Sequence, residues 1–207
     1  LEIYLKVTVV DAAAFATVDL PQNLAKYQQN NVDGDIFFLR DMAEIEADDN
    51  LSSTGKHEEA VELHQAATTK HEQLRAAYDA EVEETRQALR KEAFSPKFGY
   101  LTDQATKVAT RAAYAAAMDR AENMDAGQLK AAMDRALRAD DELSAQAIAH
   151  VAWEKGESRV IEHFMEHDKN GDLRRLYQFE AAYGDRRTAQ RKFEQRIGFS
   201  LPEWPTF

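Results

Sequence analysis

From Lys56 to Phe94 the chain runs 39 residues without a proline or a glycine. A helix interior penalises proline by about 3 kcal/mol and glycine by about 1 kcal/mol relative to alanine, so their joint absence over a polar segment predicts one continuous helix. At about 1.5 Å per residue it would be nearly 60 Å long, which exceeds the diameter of a compact domain of this size. Its apolar seam is thin. With His57, His64, His71, Tyr78 and Thr85 at heptad position a, position d holds Ala60, Ala67, Leu74 and Ala88, and Glu81 falls at d. That is not a leucine zipper. The pattern predicts a rod that packs loosely on another helix, coiled-coil-like at most.

The remaining segments also read as helix. Only 8 glycines and 4 prolines occur in 207 residues, and a charged fraction of 30% suits helices with wide solvated faces. Leu20-Pro21-Gln22-Asn23 opens a short helix to about Asn31. Asp33-Gly34-Asp35 reads as a turn with Asp35 as an N-cap, and a second helix is expected from Ile36 to about Ala47, with Phe37, Phe38, Met42 and Ile45 on its apolar side. Ser95-Pro96-Lys97-Phe98-Gly99 ends the long helix. An alanine-rich helix is expected from about Thr102 to Asn123, with Ala105, Val108, Ala112 and Ala116 on one stripe, then a short amphipathic piece carrying Leu129, Met133, Ala136 and Leu137. The next helix begins near Asp140 and is hinged at Gly156 before Val160, Ile161, Phe164 and Met165. His167 to Gly171 is a stop, with Asn170-Gly171 as a left-handed cap and Asp172 as the following N-cap, and a last helix spans about Leu173 to Ile197.

Both ends depart from this pattern. Leu1, Ile3, Leu5, Val7 and Val9 alternate with Glu2, Tyr4, Lys6 and Thr8, the period of a β-strand. Phe15 to Leu20 offers one return strand. A two-strand hairpin is marginal in water, and its open edges invite pairing with another chain. Leu1, Ile3, Leu5, Val7 and Val9 are therefore expected to be interaction residues. The tail GFSLPEWPTF holds two prolines and is expected to be extended, with Trp204 anchoring on some surface. The expected organisation is an N-terminal β arm (1–20), short helices plus the long helix (21–98), a helical bundle region (99–197) and the tail (198–207). The fold class is mainly α, an extended helical bundle around one long helix.

Composition narrows the function. A net charge of −11 argues against nucleic acid as the main partner, although Arg174, Arg175, Arg186, Arg187, Arg191, Lys192 and Arg196 gather near the C-terminus, opposite in sign to the acidic run 33–49. Absence of cysteine removes disulfides, thiolate nucleophiles and Cys-based zinc sites. No apolar run approaches the roughly 20 residues of a membrane span. Residues 1–20 lack a basic leader, which argues against a signal peptide. The chain opens on Leu1 rather than Met, so its start need not be that of the protein. A cytoplasmic or virion setting is expected.

Candidate chemistry is sparse. Phosphate-binding glycine loops and the nucleophile elbow are absent from the sequence. Asp168-x-Asn170-x-Asp172 has the first half of a calcium loop, but Leu173 stands where glycine is needed and Phe179 where a bidentate carboxylate is needed. Asp and Asn are equally the residues of a turn between helices. His57, His64 and His71 share one side of the long helix; two turns apart, they are too distant for a single metal ion, and a parallel dimer would make them a pH-sensitive seam. His163 and His167 lie one turn apart, beside Glu162 and Glu166, in a spacing that can hold a metal. The Glu-x-x-His motif of di-iron bundles is missing. No cofactor is called for. The expected function is a non-catalytic structural or assembly subunit whose partners are other protein chains, of its own kind or different. The composition, rich in Ala, Asp and Arg and free of Cys, suits a phage virion component. The alternatives are a helical-bundle metal protein using His163 and His167, with Asp168, Asn170 and Asp172 as weaker ligands, and a monomeric helical adaptor.

Overall fold

The computed structural model describes residues 22–184. Among these residues the chain is built from seven α-helices and contains no strand: α1 (Gln22–Ala47), α2 (Ser53–Phe94), α3 (Gln104–Glu122), α4 (Ala126–Arg138), α5 (Glu142–Lys155), α6 (Ser158–His167) and α7 (Asp172–Ala182). The alternating segment with Leu1, Ile3, Leu5, Val7 and Val9, and the tail with Trp204, lie outside the described residues. The described residues divide between two compact units, 22–85 with 180–184, and 86–179, with the boundaries falling inside α2 and near the end of α7.

In the first unit α1 lies antiparallel to the beginning of α2. Phe38 and Met42 bury against Ala60, with Leu63 and Ala67 beside them. Tyr27 meets Tyr78 edge-on at 6.1 Å, and Phe38 meets His64 at the same distance. The expected break at Asp33-Gly34-Asp35 does not occur; α1 is continuous. Its polar residues satisfy one another one helical turn apart instead of turning the backbone: Gln29 Nε2 donates to Asp33 Oδ1 at 2.9 Å and Asn31 Nδ2 to Asp35 Oδ2 at 3.3 Å. Continuity also resets the apolar face. Leu24, Phe38 and Met42 are buried, while Phe37, expected inside, is exposed beneath the Arg40 guanidinium. The start of α2 lies at Ser53, ahead of the expected Lys56, because Ser52 Oγ accepts the Gly55 N–H at 3.1 Å and caps the first turn.

In the second unit α5 is the central helix. Ala145, Ala147, Ile148, Ala149, Val151, Ala152 and Trp153 are all buried, and the helix packs on α3, α4 and α6 at once, with Gln146 and His150 half-buried along one side. Leu129 and Met133 of α4, Val160 and Ile161 of α6, and Leu173 and Leu176 of α7 complete the core with Ala93 and Phe94 from the end of α2. Two side chains of α5 close neighbouring helices: Gln146 Nε2 donates to the carbonyls of Ala93 and Ser95 (2.8 and 3.3 Å), and Lys155 Nζ to those of Glu122 and Met124 (2.6 and 2.8 Å). The α3 face differs from expectation. Tyr114, Ala117 and Ala121 are buried, whereas Ala105, Val108, Ala112 and Ala116 are exposed. Tyr114 carries the largest apolar area on α3, and its burial sets the face. Gly156, expected as a hinge, ends α5 with φ 74°, the left-handed cap that glycine adopts without strain.

Candidate metal centre and adjoining cleft

The second unit holds a cleft of about 530 Å³ between the α4–α5 corner and the α6–α7 loop, with Pro96, Lys97 and Thr110 also on its wall. The corner is made by Asp140, a non-glycine residue at φ 53°, after which the Asp141 N–H returns to the Ala136 carbonyl at 2.9 Å. This is the six-to-one bond of a left-handed helix end, performed by aspartate, which tolerates that region better than most residues. Asp141 then caps α5 by accepting the Ser144 N–H. Charges across the cleft are paired. Lys169 bonds Glu142 at 3.0 Å, and this hydrogen bond, with the nearby negative charges, raises the Lys169 pKa. Lys97 and Arg175 converge on the buried carboxylate of Asp172.

The structure separates the two groups of sequence candidates. Asp168 Oδ1 accepts the Asn170 N–H at 3.1 Å, and its Oδ2 accepts the Leu173 N–H at 3.0 Å. The capping role expected of Asp172 thus falls to Asp168, while Asp172 opens α7 and faces two cations. Asn170 is exposed. Both carboxylates are thus engaged, that of Asp168 by backbone N–H groups and that of Asp172 by two cations, as the connection between α6 and α7.

His163 and His167 do come together. Their ring centroids are 5.1 Å apart, and Glu166 joins them: one ligand atom from each of the three lies within 4.8 Å of the others. His163 Nε2 is 3.0 Å from Asp134 Oδ1 of α4, and its Nδ1 is 3.6 Å from Glu166 Oε2. His167 Nδ1 is 3.0 Å from the His163 carbonyl oxygen. The i, i+4 spacing reveals the histidine pair, and Glu166 follows from the same helical period. Asp134 lies 29 positions upstream on another helix, and no local pattern announces it.

The heptad histidines go elsewhere. His64 packs on Phe38, and His71 is buried with its Nε2 3.1 Å from Asp35 Oδ1, so both face α1 of the same chain rather than a second α2. Burial raises the Asp35 pKa against the opposing pull of His71. A half-buried histidine, His150, escaped the sequence reading. It stacks on Phe94 with centroids 4.4 Å apart and meets the Tyr114 hydroxyl at 3.2 Å. Desolvation depresses the His150 pKa and raises that of Tyr114. Among the described residues, no helix is long and apolar enough to cross a membrane. Comparison with known protein families, curated proteins and solved structures finds no match for this chain.

Proposed function

We propose that the protein is a non-catalytic assembly subunit, and that α1 joins it to a second copy of the chain. The observation that supports this reading is a stripe of large apolar residues on the outer side of α1. Val32, Ile36 and Leu39 are 48%, 60% and 41% exposed. They follow at i, i+4 and i+7, with exposed Ala43 at i+11, so they form one seam about a quarter-turn away from the buried face of Leu24, Phe38 and Met42. A seam with this spacing is what a helix presents to a partner helix. Set antiparallel about a two-fold axis, the same stripe on a second copy is its own complement. Each of these side chains gains about 1–2 kcal/mol when a partner completes its burial. The alternating segment 1–10 and Trp204 remain proposed further contacts, and a virion is one setting in which such a subunit would serve.

Light scattering over a concentration series tests the proposal on the full chain and on Ile36→Glu and Leu39→Glu. Both positions are exposed, so neither substitution disturbs the buried face. The expected result is a discrete oligomer that dissociates in both variants without loss of helicity. A wild-type monomer at all concentrations overturns the reading in favour of a monomeric helical adaptor.

A further inference from the structure

We infer that His163, Glu166 and His167 form a binding site for a first-row transition metal ion, zinc foremost, with Asp134 as the residue that orients it. The three side chains occupy the end of α6. Their ligand atoms already lie within 4.8 Å of one another. Tetrahedral zinc with bonds of about 2.0–2.1 Å needs ligand atoms about 3.3 Å apart, a closure that rotation of partly exposed side chains supplies.

The hydrogen bonds prepare the nitrogens. A carbonyl oxygen can only accept, so His167 Nδ1, at 3.0 Å from the His163 carbonyl, carries the proton and Nε2 keeps its lone pair. The Asp134 carboxylate likewise accepts from His163 Nε2 at 3.0 Å, which leaves the Nδ1 lone pair on the side of Glu166. Each imidazole therefore has one nitrogen fixed by an acceptor and the other available, the arrangement that metal-bound histidines show. Among the described residues no lysine or arginine pairs with Glu166, whose charge is available to a cation. Two imidazole nitrogens and one carboxylate favour zinc, nickel or copper over magnesium or calcium. The fourth position falls to water. His167 also belongs to the wall of the cleft, so the metal would stand at its rim.

The competing arrangement is a protonated His163 held between Asp134 and Glu166, with a proton where the metal would be. Calorimetric titration of the full chain with Zn²⁺, alongside His163→Ala, His167→Ala, Glu166→Gln and Asp134→Asn, separates the two. The site predicts one Zn²⁺ per chain and at least about tenfold weaker binding on removal of either histidine. Asp134→Asn, which touches no metal, should weaken binding about 10–100-fold. Co²⁺ in place of Zn²⁺ should give a visible absorption band that His167→Ala abolishes. These side chains lie outside the core, and unchanged helicity of each variant checks that folding is intact. Zn²⁺ binding that is equal in wild type and in the His163→Ala/His167→Ala double variant, or absent in wild type, overturns the site. Equal affinity in Asp134→Asn overturns the orienting role of Asp134.

Discussion

Breaking the Asp35–His71 pair should cost more than removing it whole. The His71 side chain is 7% exposed and that of Asp35 25%, with 3.1 Å between Nε2 and Oδ1. His71 Nδ1 and Asp35 Oδ1 are both buried without a well-formed hydrogen bond, a defect of about 1–3 kcal/mol for such a group that the attraction across the 3.1 Å contact must outweigh. Truncating one member of a fully buried pair costs about 3–5 kcal/mol, because the other charge is left in a low dielectric. The residual exposure of Asp35 lowers this, and about 2–4 kcal/mol is expected for His71→Leu at neutral pH. Asp35→Leu/His71→Leu removes the charge, the orphan nitrogen and the desolvation together, and should lie within about 1 kcal/mol of wild type or above it. The coupling in the double-mutant cycle is then favourable and larger than either residual effect. The pH dependence has a definite sign. Burial raises the Asp35 pKa above its ordinary 3.8, so the folded state binds the proton more tightly than the unfolded chain, and stability from this group is lost as pH rises through the raised value. In His71→Leu the opposing pull of His71 is gone and the Asp35 pKa rises further, so the deficit should shrink on acidification. Hydrogen exchange of the amides around 31–42 and 60–78 reads the local free energy. A His71→Leu variant within about 0.5 kcal/mol of wild type, or a double variant whose loss equals the sum of the singles, would refute the reasoning.

Three further outcomes follow from the second unit. Met133 and Leu176 are fully buried, so Met133→Ala or Leu176→Ala should lose about 2–5 kcal/mol in urea unfolding followed by Trp153 fluorescence; a loss below about 1 kcal/mol would contradict the packing described for α4 and α7. Gln146→Leu leaves the Ala93 and Ser95 carbonyls without their donor and should cost about 1–3 kcal/mol, with faster exchange confined to the last turn of α2. Because desolvation holds the His150 pKa below its ordinary 6.5, the unfolded chain takes up a proton there first. This contribution to stability is therefore full above about pH 6.5 and declines as pH falls toward the folded value. His150→Phe should flatten that part of the profile, and an unchanged slope would exclude His150 as its source.

Legibility varied along the chain for physical reasons. The amphipathic piece at Leu129, Met133 and Ala136 was legible because these residues fall on one face, while its start was not: Gly127, expected as an interruption, lies inside the helix behind the capping box of Asp125 and Gln128. Asp33-Gly34-Asp35 misled because the residues that favour turns also make side-chain bonds at i+4, and the partner that decides between these uses, His71, lies far along the sequence. The stripe of α3 misled because alanine is cheap to expose, so four alanine-like positions in register say little about which face is buried. At the candidate metal centre the histidine pair was visible from spacing alone, and the orienting aspartate was not, because only tertiary folding brings α4 beside α6.

The dense burial of α5 from Ala145 to Trp153 shapes how the sequence can vary. A helix that shows one face to water tolerates change with a rhythm of 3.6 residues, because every third or fourth position is free. From Ala145 to Trp153 that rhythm is largely lost, since seven of the nine positions are buried and four of those seven are alanines. Added methylenes there have nowhere to go. Saturation mutagenesis across this helix should therefore return a nearly flat band of intolerance, while the same experiment on α4 or α6 returns a wave. In evolutionary terms α5 is a stretch where drift is confined to a few small residues, so any divergence of this fold would be written mainly on its other helices.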